Sequence, residues 1–118
     1  MYKNKSKHVE ESFYLPFKPV LIKKHHYLLG SNMGIPFSTL KAVNGFDEDY
    51  TFAGFGEDCD IEWRIAKEGF SFLNLKHHAI QFHLDHERAN REEETAISLQ
   101  MFERKKKEGF SFCKKGLD

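Results

Sequence analysis

Apolar and polar positions divide the chain into a polar start, a stretch of extended chain and a series of helices and short strands. Residues 1–12 are polar or charged without periodicity, so we predict that the ordered fold begins near Ser12. From there to Leu29, aromatic and β-branched residues are interrupted by Pro16 and Pro19. This pattern predicts an extended or edge segment that ends in a strand at residues 26–29.

Three helices are predicted from apolar spacing and from the glycines that follow them. The first is short and lies between Pro36 and a left-handed stop at residues 44–45 (Asn-Gly). The second runs from about 57 to 68, where Gly69 occupies the position of the stop. The third covers residues 91 to 107, to within a residue or two at each end.

The third helix and two predicted strands complete the pattern. In the helix, Ala96, Leu99 and Phe102 form the apolar side that should face the core. Alternating apolar residues predict strands at 70–75 and 79–84. We therefore assign the chain to the α/β class.

The hexapeptide Lys-Glu-Gly-Phe-Ser-Phe occurs twice, at residues 67–72 and 107–112. In both places it predicts the end of a helix, a glycine stop and the start of a strand. Stacked repeat folds need at least about three units, so we attribute the repetition to shared local chemistry.

The composition is that of one globular domain. The 118 residues are 40% hydrophobic and 31% charged, which is enough apolar material for a core. Eighteen basic residues balance eighteen acidic ones, so we expect no nucleic-acid partner. The basic run at 104–107 is typical of a solvated helix end, with contact to an anionic membrane as the lesser alternative.

The number of cysteines and the length of the apolar stretches indicate the cellular compartment of the protein. Cys59 and Cys113 are too few for a disulfide framework, which indicates a reducing compartment. No stretch approaches the roughly 18 consecutive apolar residues of a membrane span. We expect a cytoplasmic protein, with the inner face of the membrane as the alternative site.

A glycine-rich and acidic segment holds the first candidate for chemistry. Glu57 and Asp58 follow glycines and lie in the first turn of the predicted second helix. A carboxylate there can take a proton from a hydroxyl, while the glycines let a ligand approach the backbone. Acidic residues are also favoured there by the helix dipole, and Asp60 with Arg64 makes an ordinary i, i+4 pair. The residues alone leave both interpretations open.

His83 and His86 form the second candidate. Positions i and i+3 of a straight strand face opposite sides, so these imidazoles converge only if the chain turns between them. Two histidines are too few for a closed structural zinc site, and such a pair is more often solvated than bound to metal.

Three segments together resemble the C-terminal half of inverting glycosyltransferases with the GT-A fold, of the family 2 and β-1,4-galactosyltransferase type. They are residues 30–33 (Gly-Ser-Asn-Met), 44–48 (Asn-Gly-Phe-Asp-Glu) and 56–60 (Gly-Glu-Asp-Cys-Asp). The resemblance implies half of that fold, with an incomplete mixed sheet and two to three helices. It also implies that Asp58 is the base that activates the acceptor hydroxyl and that Glu57 helps to hold the acceptor.

Further binding residues follow from the same resemblance. Asn32 matches the family's Gly-x-Asn at the sugar-diphosphate site. Members often have Trp-Gly-Gly before the Glu-Asp pair, whereas this chain has Gly54, Phe55 and Gly56. The resemblance implies that these three residues contact acceptor or donor, and the departure leaves the acceptor's identity open.

The resemblance also implies a divalent cation, Mn²⁺ or Mg²⁺. His83 and His86 match the family's ligand pair after the last core strand, and a further ligand belongs to an Asp-x-Asp motif in the nucleotide-binding half. No copy of that motif in the right context occurs in this sequence. We therefore expect a missing N-terminal donor-binding half, no activity of this chain alone, and self-association through an uncovered sheet edge.

The implied reaction is transfer of a hexose or N-acetylhexosamine from a nucleotide sugar to a glycan hydroxyl with inversion, in polysaccharide or lipopolysaccharide biosynthesis. The glycosyltransferase portion should cover residues 13–108, between a frayed start at 1–12 and a loose tail at 109–118. The rival is a non-catalytic carbohydrate-binding or interaction module of the same architecture. A histidine-metal hydrolase is less favoured, because no third ligand stands near the two histidines.

Overall fold

The computed structural model describes residues 14, 16, 20–22, 28–52, 55–75, 77–82 and 89–118. These ranges contain two short strands and three helices. In chain order they are β1 (Val20–Ile22), α1 (Phe37–Ala42), α2 (Glu57–Lys67), β2 (Phe72–Asn74) and α3 (Glu92–Glu108). The strands pair antiparallel, with Val20 opposite Asn74 and Ile22 opposite Phe72.

The helices end where the local signals place their stops. After α1, Asn44 and Gly45 have φ values of 61° and 72°. Gly69, beyond α2, has a φ of 83°, and Gly109, directly after α3, has a φ of 76°. Left-handed backbone at these positions leaves the last turn of each helix hydrogen-bonded, as the pattern predicts.

The strands are shorter than predicted. The alternation at 70–75 yields only β2, and residues 79–82 and 28–29 lie outside strands. A strand requires a neighbour to receive its backbone hydrogen bonds, and within the described ranges β2 has only the three residues of β1 opposite it. The incomplete mixed sheet stays a prediction, since the described ranges contain one antiparallel pair.

The apolar core among the described residues is small. Val43, Ile61 and Ile65 are buried and form one cluster between α1 and α2. Three partly buried residues pack against that cluster: Ile35, Leu40 and Phe72. Fully burying an aliphatic side chain contributes about 1.5–3 kcal/mol, so a cluster of this size leaves a large share of the positioning to polar contacts.

The largest fully buried side chain is a charged one, Arg64. Its Nε donates to Asp60 Oδ2 at 2.6 Å, and its Nη1 donates to the carbonyl oxygens of Val43 and Gly45 at 2.6 and 2.8 Å. The i, i+4 pair therefore lies inside the protein instead of on a helix surface. It joins α2 to the turn that ends α1.

The buried face of α3 differs from the predicted one. Ala96 and Leu99 are exposed, whereas Ser98 is only 1% exposed and Phe102 is partly buried. A Cβ placed on Gly56 would lie 3.3 Å from the Ser98 Cβ. Small residues are therefore needed at both positions, where α3 passes the start of α2. The contact between Ser98 and Gly56, which apolar spacing does not report, sets this face.

The tail at 109–118, which we expected to be loose, is held in place. Asn44 Nδ2 donates to the Cys113 carbonyl at 2.9 Å, and the amides of Leu117 and Asp118 donate to Asn44 O and Oδ1 at 3.1 and 3.0 Å. Cys113 itself is only 5% exposed. These contacts join residues about 70 positions apart, and no local pattern reports them.

The two copies of the hexapeptide contact each other. Lys67 Nζ donates to the Gly109 carbonyl at 2.5 Å, and Ser111 Oγ hydrogen-bonds to Glu68 Oε1. Each copy contains a helix end and a left-handed glycine, as predicted, but only the first continues into a strand. The second copy instead leads into the docked tail.

Replacing Gly116 by alanine should detach this tail. An added Cβ would overlap the carbonyl oxygen of Asn44, which the surrounding hydrogen bonds hold in place. We expect the Leu117 amide to exchange at least about tenfold faster in Gly116→Ala, as measured by hydrogen exchange. Gly34→Ala is the control, because a Cβ there meets no atom within 4 Å. Equal protection of Leu117 in both variants would contradict the docked tail.

Candidate functional site

The two acidic residues singled out in the sequence lie in the first turn of α2. Gly56 is the N-cap, and Glu57 and Asp58 follow it, both partly buried. Asp58 Oδ1 accepts a hydrogen bond from the Cys59 amide at 2.8 Å. The second carboxylate oxygen of Asp58 is directed to a different segment of the chain.

That segment is the Gly-Ser-Asn stretch. The Gly30 amide lies 3.4 Å from Asp58 Oδ2, and the Leu28 amide donates to Glu62 Oε2 at 2.5 Å. Two carboxylates one turn apart on α2 therefore face the same piece of backbone. The Asn32 amide closes this turn by donating to the Leu29 carbonyl at 2.8 Å, which leaves the Asn32 side chain exposed beside the site.

Gly56 allows a close contact at the start of α2. Its φ is 126°, and a Cβ there would lie 2.5 Å from Cδ1 of Tyr50. The Tyr50 hydroxyl lies 3.3 Å from Asp60 Oδ1 and donates to it. The Tyr50 ring is therefore held between Gly56 and the buried ion pair of Asp60.

Other predicted site residues are only partly placed. Phe55 packs edge to face against Phe102 of α3, with ring centroids 6.3 Å apart. Gly54, His83 and His86 lie outside the described residues, so the proposed cation ligands stay a prediction. Within the ranges that are described, no group of three or more His, Cys, Asp and Glu side chains is arranged to hold a metal ion.

Sequence reasoning missed an ion-pair cluster behind the site. Lys105 of α3 reaches Asp47 Oδ2 at 2.5 Å and Asp49 Oδ2 at 2.8 Å, and Lys115 reaches Asp49 Oδ1 at 3.0 Å. The acidic loop at residues 47–50 and the basic run at 104–107 carry opposite charges, and this was a signal for such pairing. The sequence does not indicate which lysine of the run faces the loop.

These lysines change the acid–base properties of the cluster. Hydrogen bonds from Lys105 and Lys115 lower the pKa of Asp49 from 3.8 to about 2. Partial burial of Lys105 works against its charged form, but its hydrogen bonds to Asp47 and Asp49 outweigh this and raise its pKa. Asp49 and Lys105 therefore both stay ionised at neutral pH.

The two thiols do not have the properties of nucleophiles. Burial, with the nearby charge of Asp58, raises the pKa of Cys59 to about 11. Burial also raises the pKa of Cys113. Because the thiolate is the reactive form, both cysteines are poor nucleophiles at neutral pH.

Three buried polar atoms have no hydrogen-bond partner within the described part of the chain: Glu57 Oε2, Arg64 Nη2 and Ser98 Oγ. A buried acceptor without a donor costs about 1–3 kcal/mol. Glu57 Oε2 is the one beside Asp58, so a donor that reached it would remove that cost at the candidate site.

Comparison with protein-family models, with curated proteins and with solved structures finds no match for this chain. Over the described residues, no helix combines the length and the apolarity needed to cross a membrane.

Replacing Gly56 by alanine should destabilise the start of α2. The substitution adds left-handed strain of about 1–2 kcal/mol and a clash with Tyr50, so we expect a total loss of about 2–4 kcal/mol by urea denaturation. Gly69→Ala separates the two effects, because Gly69 also has a positive φ but a Cβ there meets nothing within 4 Å. Equal losses in the two variants would exclude the contact with Tyr50.

The contribution of Asp49 to stability should disappear in acid. Its pKa is lowered in the folded state, so its stabilising effect is complete above about pH 5 and is lost as the pH falls from about 4 to about 2. Asp49→Asn should therefore lower the free energy of unfolding at pH 6 and have little effect near pH 2. Glu103→Gln, which removes an exposed pair with Lys106, should change stability little at either pH. A constant deficit for Asp49→Asn across this range would contradict the assignment.

Proposed function

We propose that this chain is the acceptor-binding portion of an inverting glycosyltransferase with the GT-A fold. Asp58 is the base that takes the proton of the acceptor hydroxyl, and Glu57 holds the acceptor. The observation that carries the proposal is the approach of the Gly30 amide to Asp58 Oδ2, at 3.4 Å. It brings two of the resembling segments, 28 positions apart, into one site.

The chemistry requires a carboxylate with one accessible oxygen and a fixed direction. The Cys59 amide fixes Asp58 Oδ1, whereas Oδ2 has only the long contact with the Gly30 amide and keeps a lone pair for a hydroxyl. As the hydroxyl proton moves to Asp58, the hydroxyl oxygen forms a bond to the anomeric carbon of the donor. The bond from that carbon to the diphosphate breaks on the opposite face, and the diphosphate leaves with the electron pair. The product has inverted configuration.

Glu57 suits the role of an acceptor ligand. Its Oε2 is buried and, among the described residues, receives no hydrogen bond. Rotation of the Glu57 side chain towards the acceptor would let a second sugar hydroxyl supply the missing donor, and a hydrogen bond to a charged group contributes about 1.5–3 kcal/mol. The acceptor would therefore bind through two neighbouring carboxylates with different tasks.

The donor side of the proposal rests on the resemblance alone. The donor is a nucleotide-activated hexose or N-acetylhexosamine, used in polysaccharide or lipopolysaccharide biosynthesis, and its diphosphate lies towards Asn32. Mn²⁺ or Mg²⁺ held by His83, His86 and a ligand from the donor-binding half would neutralise the leaving diphosphate. The 118 residues alone are then expected to catalyse no transfer.

Saccharide binding by the chain as it stands tests the acceptor role. Methyl β-glycosides of glucose, galactose and N-acetylglucosamine serve as probes in saturation-transfer NMR. We expect Glu57→Gln to weaken binding at least about tenfold, because it removes a charged hydrogen-bond acceptor. Glu103→Gln, on the exposed side of α3, should bind like the wild type. Equal binding by both variants would count against the acceptor site.

Turnover by the longer protein that carries the donor-binding half tests the base. There Asp58→Asn should lower kcat by about 10²–10⁴, whereas Glu57→Gln should act mainly on the acceptor KM. A kcat for Asp58→Asn within a few-fold of wild type would overturn the assignment. Saccharide binding without any effect of Asp58→Asn on turnover would instead favour the non-catalytic carbohydrate-binding module.

A further inference from the structure

We infer that Lys105 is a positioning residue for the Glu57–Asp58 site, acting through the acidic loop at residues 47–50. The geometry of this connection is independent of the proposed function. Its consequence for saccharide binding rests on that function.

One face of α3 covers the start of α2. Ser98, Phe102 and Lys105 are spaced i, i+4 and i+7, so they lie on the same side of the helix. Ser98 lies against Gly56, and Phe102 packs against Phe55. Lys105 contacts the loop that precedes them in the chain. The face therefore meets the acidic loop and the N-terminus of α2 at once.

Lys105 is the counter-charge for two carboxylates, Asp47 and Asp49, and the first of them is buried. The Asp47 side chain is 3% exposed and that of Lys105 is 17% exposed. Lys115 offers a further charge to Asp49 but none to Asp47 in the described residues, and its own side chain is 67% exposed. Without Lys105, the buried charge of Asp47 would lie beside the charge of Asp49 with no cation to balance it. Because an unbalanced buried charge is strongly destabilising, the loop would have to move.

The position of Asp47 in the loop also fixes the position of Tyr50. Asp47 Oδ1 accepts the Asp49 amide at 3.1 Å, and the Tyr50 amide donates to the Asp47 carbonyl at 3.2 Å. Asp47 is thus the centre of a turn whose last residue is Tyr50. The Lys105 ammonium also lies 5.6 Å from the centroid of the Tyr50 ring, within range of a cation–π attraction.

Tyr50 in turn sets the position of the helix start. Its ring lies where a Cβ of Gly56 would be, and its hydroxyl reaches Asp60 one turn into α2. Gly56 precedes Glu57 and Asp58 directly. A displacement of Tyr50 therefore frees Gly56 and changes the direction in which the two carboxylates point.

The test compares two adjacent lysines. Lys105→Met removes the buried charge, whereas Lys106→Met removes an exposed one whose partner, Glu103, lies 3.5 Å away on the same helix. We expect Lys105→Met to shift the amide resonances of residues 56–58 and to speed their hydrogen exchange at least about tenfold, with Ile61 and Ile65 still protected. Lys106→Met should leave residues 56–58 unchanged, and Lys105→Arg should restore most of their protection.

Binding of methyl β-glycosides to the same variants supplies the functional measurement. Lys105→Met should weaken binding at least about tenfold, while Lys106→Met binds like the wild type. If the wild-type chain binds none of these saccharides, the proposed function fails, and the amides of residues 56–58 still decide the positioning role.

Two results would overturn the inference. One is identical behaviour of residues 56–58 in Lys105→Met and Lys106→Met. The other is a loss of protection in Lys105→Met that is as large at Ile61 and Ile65 as at residues 56–58, because it indicates general destabilisation. If Lys105→Met does not fold, Asp47→Asn replaces it, because it removes the buried charge that Lys105 pairs with and keeps the Oδ1 that accepts the Asp49 amide. Unchanged amides at 56–58 in Asp47→Asn would likewise reject the positioning role.

Discussion

The buried guanidinium of Arg64 is the constraint on which the rest of the described structure depends. It donates to Asp60 on its own helix and to the carbonyls of Val43 and Gly45 at the end of α1. Those carbonyls are available because the left-handed turn stops the helix there. Leaving a buried charge of this kind without its partner costs about 3–5 kcal/mol, comparable with the burial of about two aliphatic side chains in so small a core.

From this ion pair the structure extends in two directions. Asp60 accepts the Tyr50 hydroxyl, and Tyr50 packs on Gly56, which places the start of α2. On the other side Asn44, which follows α1, holds the tail through its side chain and its carbonyl. The candidate site and the docked tail are therefore both attached to the same turn. Contacts between polar groups position both, and in the tail the Cys113 amide also donates to the carbonyl of Val43.

The sequence predicts what is decided locally and misses what is decided across the chain. Helix ends depend on a few neighbouring residues, so the stops at Gly45, Gly69 and Gly109 could be placed from the pattern. The buried face of α3 depends on which residue meets Gly56, and apolar spacing favoured Leu99 over Ser98. The position of Glu57 and Asp58 at a helix start could also be predicted from the local pattern. Their approach to the Gly-Ser-Asn segment was implied only by the family resemblance.

The distribution of charge around α2 connects the architecture to the proposed chemistry. Seven acidic residues lie in or just before the helix and could repel one another: Asp47, Glu48, Asp49, Glu57, Asp58, Asp60 and Glu62. Arg64 and Lys105 form ion pairs with three of them. In the described part of the chain, Glu57 and Asp58 have no ion-pair partner, and Asp58 is held by the amides of Gly30 and Cys59. A cation there would compete with an acceptor hydroxyl for the carboxylate oxygens. The cationic side chains therefore stabilise the acidic surroundings and leave Glu57 and Asp58, the two carboxylates of the proposed acceptor site, without an ion pair among the described residues.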